Sequence, residues 1–177
     1  MCAMLILKDI DKGSAKLLSD LCIETFVQAY EGVHSKSDID LYCNENYSMN
    51  SMEVMLNQSN TAAVVAFLGS EPAGFYVIKH HQCPVELSGE STELKQIYVQ
   101  SSQFGIGLGR KLFDSAVDQA QKNMSQWLWL CVSDINYRAQ AFYRKLGFSK
   151  IGSGPTIIVG NEYLCSSILA LSIAEKH

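Results

Sequence analysis

The sequence predicts a mixed α/β domain built on one sheet and spanning residues 1–177. Three observations predict it. Short β-rich apolar runs alternate with segments of helical periodicity, in the order strand, helices, three strands, helix, strand, helix, two strands. A glycine-containing loop separates a strand from a helix at residues 101–107. The composition is that of a packed chain, 47% hydrophobic and 18% charged with only 3 Pro and 12 Gly. A domain of this length buries roughly 70% of the surface its unfolded chain exposes.

Residues 4–10 read as the first strand. Leu17, Leu18, Leu21, Cys22, Phe26, Val27 and Tyr30 then recur at helical spacing, which predicts a helix over 12–31. Ser35 and Ser37 each have Asp three residues on, the start signal of a short helix running to Asn46. Met52, Met55 and Leu56 add a helical turn or two before Asn60. Residues 61–68 are β-rich, 69–74 (GSEPAG) form a turn and 75–79 return, making a hairpin. A polar loop over 81–91 leads to a strand at 93–100 (ELKQIYVQ). After the loop, Leu108, Leu112, Ala116 and Ala120 mark a helix over 107–122. Residues 127–132 (WLWLCV) suit a strand covered on both faces. A short helix follows over 136–146, closed by Gly147. The last strands fall near 148–152 and 162–171, joined by a loop holding Gly154-Pro155 and Gly160-Asn161. Its Ile157-Ile-Val159 stretch is either a dimer contact or core, so a monomer and a homodimer both stay open.

Several function classes fall away. The longest apolar run, 62–68, has seven residues, against roughly 18 for a membrane span. The apolar N-terminus is followed at once by Lys8, Asp9, Asp11 and Lys12, which does not read as a secretory signal. The expected location is the cytoplasm. A net charge of −4 disfavours nucleic-acid binding, which needs cations to displace counterions from phosphates. Between residues 31 and 53 lie Glu31, Asp38, Asp40, Glu45 and Glu53 against Lys36 alone, so this segment carries the whole net charge. Such a region either attracts a cationic partner or is a solvated helix face. Neighbouring cysteines among the six are 20 to 48 positions apart and form no C-x-x-C pair. They read as small core residues in a reducing compartment. Adjacent His80 and His81 point to opposite faces of a strand, and no metal site is expected.

Two motifs carry chemistry. The first is strand, glycine loop, helix, with Gly105, Gly107 and Gly109 ahead of Arg110 and Lys111. Glycine permits positive φ and close approach of the backbone to a ligand. Loop N–H groups and the positive end of the helix then make a phosphate or pyrophosphate site. Neither a G-x-G-x-x-G nor a P-loop is present. The second is residues 136–148 (NYRAQAFYRKLGF), which fit N-x-x-A-x-x-F-Y-x-x-x-G-F at every fixed position.

Together these motifs resemble the GNAT superfamily of acyl-CoA-dependent N-acetyltransferases. Gly107 and Gly109 fill the small positions of that family's [QR]-x-x-G-x-[GA] signature, and ELKQIYV is similar to its fourth strand. Glu24, Phe26, Ala29, Tyr30, Asp38 and Tyr42 also resemble the bacterial polyamine-acetyltransferase (PaiA-like) branch. One position departs: Phe104 stands where Gln or Arg is usual, with Gln103 one place early.

The resemblance implies a mostly antiparallel sheet flanked by helices, whose fourth and fifth strands splay to admit acetyl-CoA. Backbone groups of Phe104, Gly105, Ile106, Gly107, Leu108, Gly109 and Arg110 would hold the pyrophosphate. Ile97 and Val99 would pair with the pantetheine arm as strand pairs with strand. A main-chain N–H near Tyr98 or Val99 would polarise the thioester carbonyl. Asn136 would contact the cofactor arm, and as a residue type it is equally a helix N-cap. Tyr143 is by spacing a core aromatic and by resemblance the acid that protonates the leaving thiolate. Glu93, at the start of the fourth strand, is the leading base for the amine, with His80, His81 or water as alternatives. The implied acceptor is a small cationic amine such as a polyamine, attacked directly in a ternary complex. Peptide or protein amines are the second acceptor class. A non-catalytic acyl-CoA sensor is the rival from outside enzymology.

Overall fold

The computed structural model describes residues 4–174 of the chain. Strand β1 (Leu5–Ile10) leads through a single 3-10 turn (Lys12–Ser14), where the Asp11 side chain accepts from the Gly13 N–H, into α1 (Ala15–Tyr30). Helices α2 (Lys36–Asn46) and α3 (Met49–Leu56) follow, each started by a serine hydroxyl, Ser35 on the Asp38 N–H and Ser48 on the Ser51 N–H. Then come β2 (Thr61–Leu68), β3 (Glu71–His80), β4 (Ser91–Val99), α4 (Leu108–Lys122), β5 (Trp127–Ser133) and α5 (Tyr137–Lys145). Four short strands finish the described chain: β6 (Ser149–Ser153), β7 (Ile157–Val159), β8 (Glu162–Leu164) and β9 (Ser166–Ser172).

Seven strands make one sheet in the order β1-β2-β3-β4-β5-β9-β6. Every pairing is antiparallel except β4 with β5. β7 and β8 pair only with each other. The alternation of side chains along β2 and β3 fills both faces. Ala63, Val65, Phe75 and Val77 face α1, α2 and α3. Val64, Ala66, Tyr76 and Ile78 face α4. This double burial explains why both strands read as continuous apolar runs. The amphipathic stripe of α4 (Leu108, Leu112, Phe113, Ala116, Ala120) is buried against the second face. The Gly147 C-cap of α5 has φ 95°, as its place in the motif required.

Three expectations need correction. β3 begins at Glu71, not at residue 75, because Gly69 (φ 64°) and Ser70 alone make the turn and a bulge at Ala66/Phe67 absorbs the mismatch. The strand expected over 162–171 is two strands broken at Cys165. Its first part turns back through Gly160 (φ 58°) onto β7, while its second lies between β5 and β6. The 157–159 stretch is itself a strand, with Val159 buried and Ile158 exposed.

Leu112 has no solvent exposure, and its Cδ1 lies 3.1 Å from where a side chain on Gly74 would begin. It joins α4 to the middle of the sheet. Leu112→Ala is expected to lower unfolding free energy by about 2–5 kcal/mol in urea titrations. Ile158→Ala, at an exposed site, is expected to change it by no more than about 0.5 kcal/mol.

Candidate active site

β4 and β5 are hydrogen-bonded neighbours for three residues only, Ser91–Glu93 against Trp127–Trp129. Beyond Glu93 and Trp129 the strands part. A bulge at Lys95, where the register with β3 skips a residue, turns the rest of β4 away. The edges of 94–99 and 130–133 therefore face each other across an opening.

The backbone of β4 dictates what this opening presents. The Gln100 N–H donates to the Ala73 carbonyl at 2.9 Å, so Gln100 is turned toward β3. By alternation Tyr98 is turned the same way, and its carbonyl lies 2.7 Å from the Cβ position of Gly74. Ile97 and Val99 then direct their N–H and C=O groups into the opening. Of the two candidate main-chain donors, Val99 faces the opening and Tyr98 is turned toward β3, with its ring in the cavity wall.

At one end of the opening lies the start of α4. Gly105 (φ 85°) and Gly107 (φ 81°) both adopt backbone that other residues avoid, and no atom lies within 4 Å of either Cβ position. Gly107 is the N-cap and has no side chain to offer. The first main-chain bond of the helix, Lys111 N–H to the Gly107 carbonyl, leaves the N–H groups of Leu108, Gly109 and Arg110 without helical partners. The first turn holds no carboxylate. An open, uncapped, glycine-lined helix start fits a phosphate diester, so the residues present suit coenzyme A. Leu108 is buried and can offer only its backbone, whereas Ile106 is exposed. The Arg110 guanidinium is held by Asp114 at 2.8 Å on its own helix, so its side chain does not serve the loop. Phe104 is 43% exposed and carries the Arg138 guanidinium on its ring.

At the other end is a cavity of about 260 Å³. Rings of Phe26, Tyr30, Tyr42, Tyr47 and Tyr98 wall one side, and Asn136, Ala139 and Tyr143 of α5 the other. Phe26 and Tyr42 stack with centroids 4.5 Å apart, and Tyr30 lies 4.6 Å from Phe26. Ile157, Val159 and Leu164 of the β7–β8 hairpin close the side away from the sheet. Asn136 is the N-cap of α5 and also lines the cavity. Its Oδ1 accepts from the Ala139 N–H at 3.0 Å, capping α5, while its Nδ2 donates to the Tyr30 hydroxyl at 3.2 Å within the cavity. Tyr143 likewise packs edge-on against Phe148 and also lines the cavity. Burial, with a smaller contribution from Tyr30, pushes its phenol well above the usual tyrosine range. It therefore stays a proton donor.

Glu93 sits at the apex where β4 and β5 part, with its carboxylate 2.8 Å from His81 Nε2. It is not in the cavity wall, although its chain neighbour Leu94 is; Cys131, which also lines the cavity, has its thiol pushed up first by burial and then by Glu93. His81 lies edge-on to Trp129. His80 is on the opposite face, bonded through Nδ1 to Thr92 and Ser125, and is not part of this group.

The acidic stretch does not line the cavity. Glu31, Asp40, Glu45 and Glu53 are exposed, Asp40 being paired with Lys36 at 2.6 Å, and Asp38 is tucked against Gly160. The buried stripe of α2 is Ile39 and Cys43, which turns the carboxylates outward. The one charged residue among the described cavity-lining residues is Lys95. Tyr47, Gln96 and Arg138 are not singled out by the sequence, and Ile157-Ile-Val159 is singled out there as a dimer contact or core, not as a cavity wall. Arg138 occupies a variable position of the 136–148 motif, and its spacing four residues before Phe142 was the available signal.

No helix among the described residues is long and apolar enough to cross a membrane. The model of the acetyltransferase (GNAT) family matches residues 21–148. An uncharacterised N-acetyltransferase from Archaeoglobus fulgidus is 23% identical over 132 residues, covering 75% of this chain and 87% of its own. The crystal structure of PaiA N-acetyltransferase from Thermoplasma acidophilum in complex with coenzyme A superposes with a TM-score of 0.78 at 19% identity, covering 96% of this chain and 99% of that one. An aminoglycoside 6'-acetyltransferase of type Ii superposes with a TM-score of 0.68, also at 19% identity, covering 97% and 99%. The chain belongs to the GNAT family and is an acetyl-CoA-dependent N-acetyltransferase.

Proposed function

We propose that the chain transfers acetyl from acetyl-CoA directly to a small primary amine held in the aromatic cavity, with Tyr143 as the acid. The observation that carries this is the opening between β4 and β5, which has a phosphate-sized helix start at one end and Tyr143 with an aromatic cavity at the other. In the step, the amine nitrogen forms a bond to the thioester carbonyl carbon. The Val99 N–H steadies the oxygen as charge builds there. The carbon–sulfur bond then breaks, the electron pair leaves on sulfur, and the Tyr143 hydroxyl protonates it. Asn136 orients the arm of the cosubstrate. The amine's proton leaves through water toward Glu93 and its His81 partner. An amine of pKa about 10.4 is neutral in only about one molecule in 2,500 at pH 7, so this route matters most near neutrality.

For the acceptor, a polyamine is the first member of the class to test. Its support is the charge of −4 concentrated on residues 31–53, the likeness to PaiA, and rings that take a cation on their faces. Recognition would then run through Phe26, Tyr30, Tyr42 and Tyr47 and not through carboxylates. The decisive assay is product mass after incubation with acetyl-CoA and spermidine, putrescine, phenethylamine, lysine or peptides. Spermidine as the best acceptor is the expected result. A preference for phenethylamine would move the class to apolar monoamines. Acetylation of peptides alone would overturn the small-amine reading.

Two predictions follow from the assigned groups. Tyr143→Phe is expected to lower kcat about 10²–10⁴-fold with little change in acetyl-CoA affinity, as loss of an acid does. Glu93→Gln is expected to cost more at pH 7 than at pH 9.5, where the free amine is already abundant; an equal cost at both would remove Glu93 from the proton route.

The raised tyrosines also set the alkaline limit of the fold. Burial pushes Tyr30, Tyr42, Tyr47, Tyr98 and Tyr143 above the ordinary value of 10.0. The folded state keeps protons that the unfolded chain releases near pH 10, so this contribution is full below pH 10 and is lost above it. The melting temperature is expected to fall from about pH 10 upward, less steeply in Tyr143→Phe.

A further inference from the structure

No residue of the loop over 101–107 is cationic, position 104 being Phe; at the start of α4 Arg110 is engaged with Asp114, and Lys111 is exposed. A further cation reaches this loop from another element. Arg138, in the first turn of α5, lays its guanidinium over the Phe104 ring with the central carbon 3.6 Å from the ring centroid. Four residues further along the same face of α5, the Phe142 ring lies 3.6 Å from the Cβ position of Gly109. These two contacts lay one stripe of α5 along the loop and helix start, from Phe104 to Gly109. Arg138 is exposed and, among the described residues, pairs with no carboxylate. A guanidinium packed flat on an aromatic ring keeps its in-plane N–H donors free for an anion.

We propose that Phe104 and Arg138 act as one unit, with the Phe104 ring holding Arg138 so that its guanidinium binds the pyrophosphate of coenzyme A across the start of α4. The proposal rests on acetyl-CoA being the cosubstrate. It assigns the cationic contact to α5 and makes Phe104 a positioning residue for it. Arg suits the task because its planar fork meets two phosphate oxygens at once.

The test is calorimetric binding of CoA, dephospho-CoA and pantetheine to wild type, Arg138→Ala, Arg138→Lys, Phe104→Ala and the Phe104→Ala/Arg138→Ala double variant. Loss of a hydrogen-bonded charge contact predicts a drop in affinity of about 10–100-fold for CoA and for dephospho-CoA in Arg138→Ala, with pantetheine unchanged. Phe104→Ala is expected to lose about 3–10-fold, and adding it to Arg138→Ala to lose nothing more, because its ring acts through the guanidinium. Arg138→Lys is expected to fall between wild type and Arg138→Ala. KM for acetyl-CoA should follow these affinities, with kcat within about twofold. CoA affinity within twofold of wild type in Arg138→Ala would overturn the proposal. So would an equal loss for pantetheine, which would mark a structural role. A loss confined to CoA, with dephospho-CoA unaffected, would move the contact to the 3'-phosphate and overturn the pyrophosphate assignment. Additive losses in the double variant would separate Phe104 from Arg138. Wild type that binds none of the three would instead refute the cosubstrate reading beneath it.

Discussion

The rest of the molecule depends on a strand pairing that stops. Parallel neighbours normally run side by side for their full length, yet β4 and β5 hold one another for three residues and then separate. The cost is a set of main-chain groups, those of Ile97 and Val99 foremost, with no strand to satisfy them. Unpaired backbone groups are tolerable where water or a ligand reaches them and costly where neither does. The surrounding elements keep the gap open and wet. The bulge at Lys95 bends β4 away, α4 starts at one rim, and α5 lies along the other. An opening of this kind accepts an extended polar chain because its walls already have the geometry of a missing strand.

The cosubstrate half of the site is made largely of backbone. N–H groups at the start of α4 and along β4 come from any residue, so the loop tolerates Phe104 where a polar side chain is usual, provided Gly105 and Gly107 keep their positive φ. The acceptor half is made of side chains, and most of them are rings. Burial keeps Tyr30, Tyr42, Tyr98 and Tyr143 protonated, so the rings add no charge to a chamber whose one charged residue, among the described lining residues, is Lys95. A cation that enters meets ring faces, and the surface charge of α2 acts on it only from a distance.

Much of this was legible in the sequence because the signals are local. The glycine loop, the N-x-x-A-x-x-F-Y motif and the apolar runs of β2 and β3 are each read from residues close along the chain. Of the two readings of the acidic stretch, the phase of Ile39 and Cys43 as the inward stripe of α2 favours the solvated face, which a count of charge without phase does not reveal. Other features were beyond reach. Three-residue strands such as β7 and β8 are too short to show a period, and their pairing depends on the turn at Gly160. Whether Glu93 faces the cavity or His81 is decided by the pleat of β4 against β3, and the bulge that shifts this pleat leaves no mark in composition. The Arg138–Phe104 stack joins two elements 34 positions apart, which spacing alone cannot reveal.

The β7–β8 hairpin pairs with no strand of the main sheet, although it forms one wall of the aromatic cavity. Its attachments are few. Gly160 packs on Asp38, and Glu162 stands 3.1 Å from the buried His34, close enough for attraction but without hydrogen-bond alignment. None of these attachments touches the α4 loop or the β4 edge. On the proposed assignment of this cavity to the acceptor, its wall can be redrawn, by insertion, deletion or exchange of a few residues, while the α4 loop and the β4 edge stay as they are. In such a layout acceptor preference is the trait most open to drift, and relatives with one backbone need share no substrate.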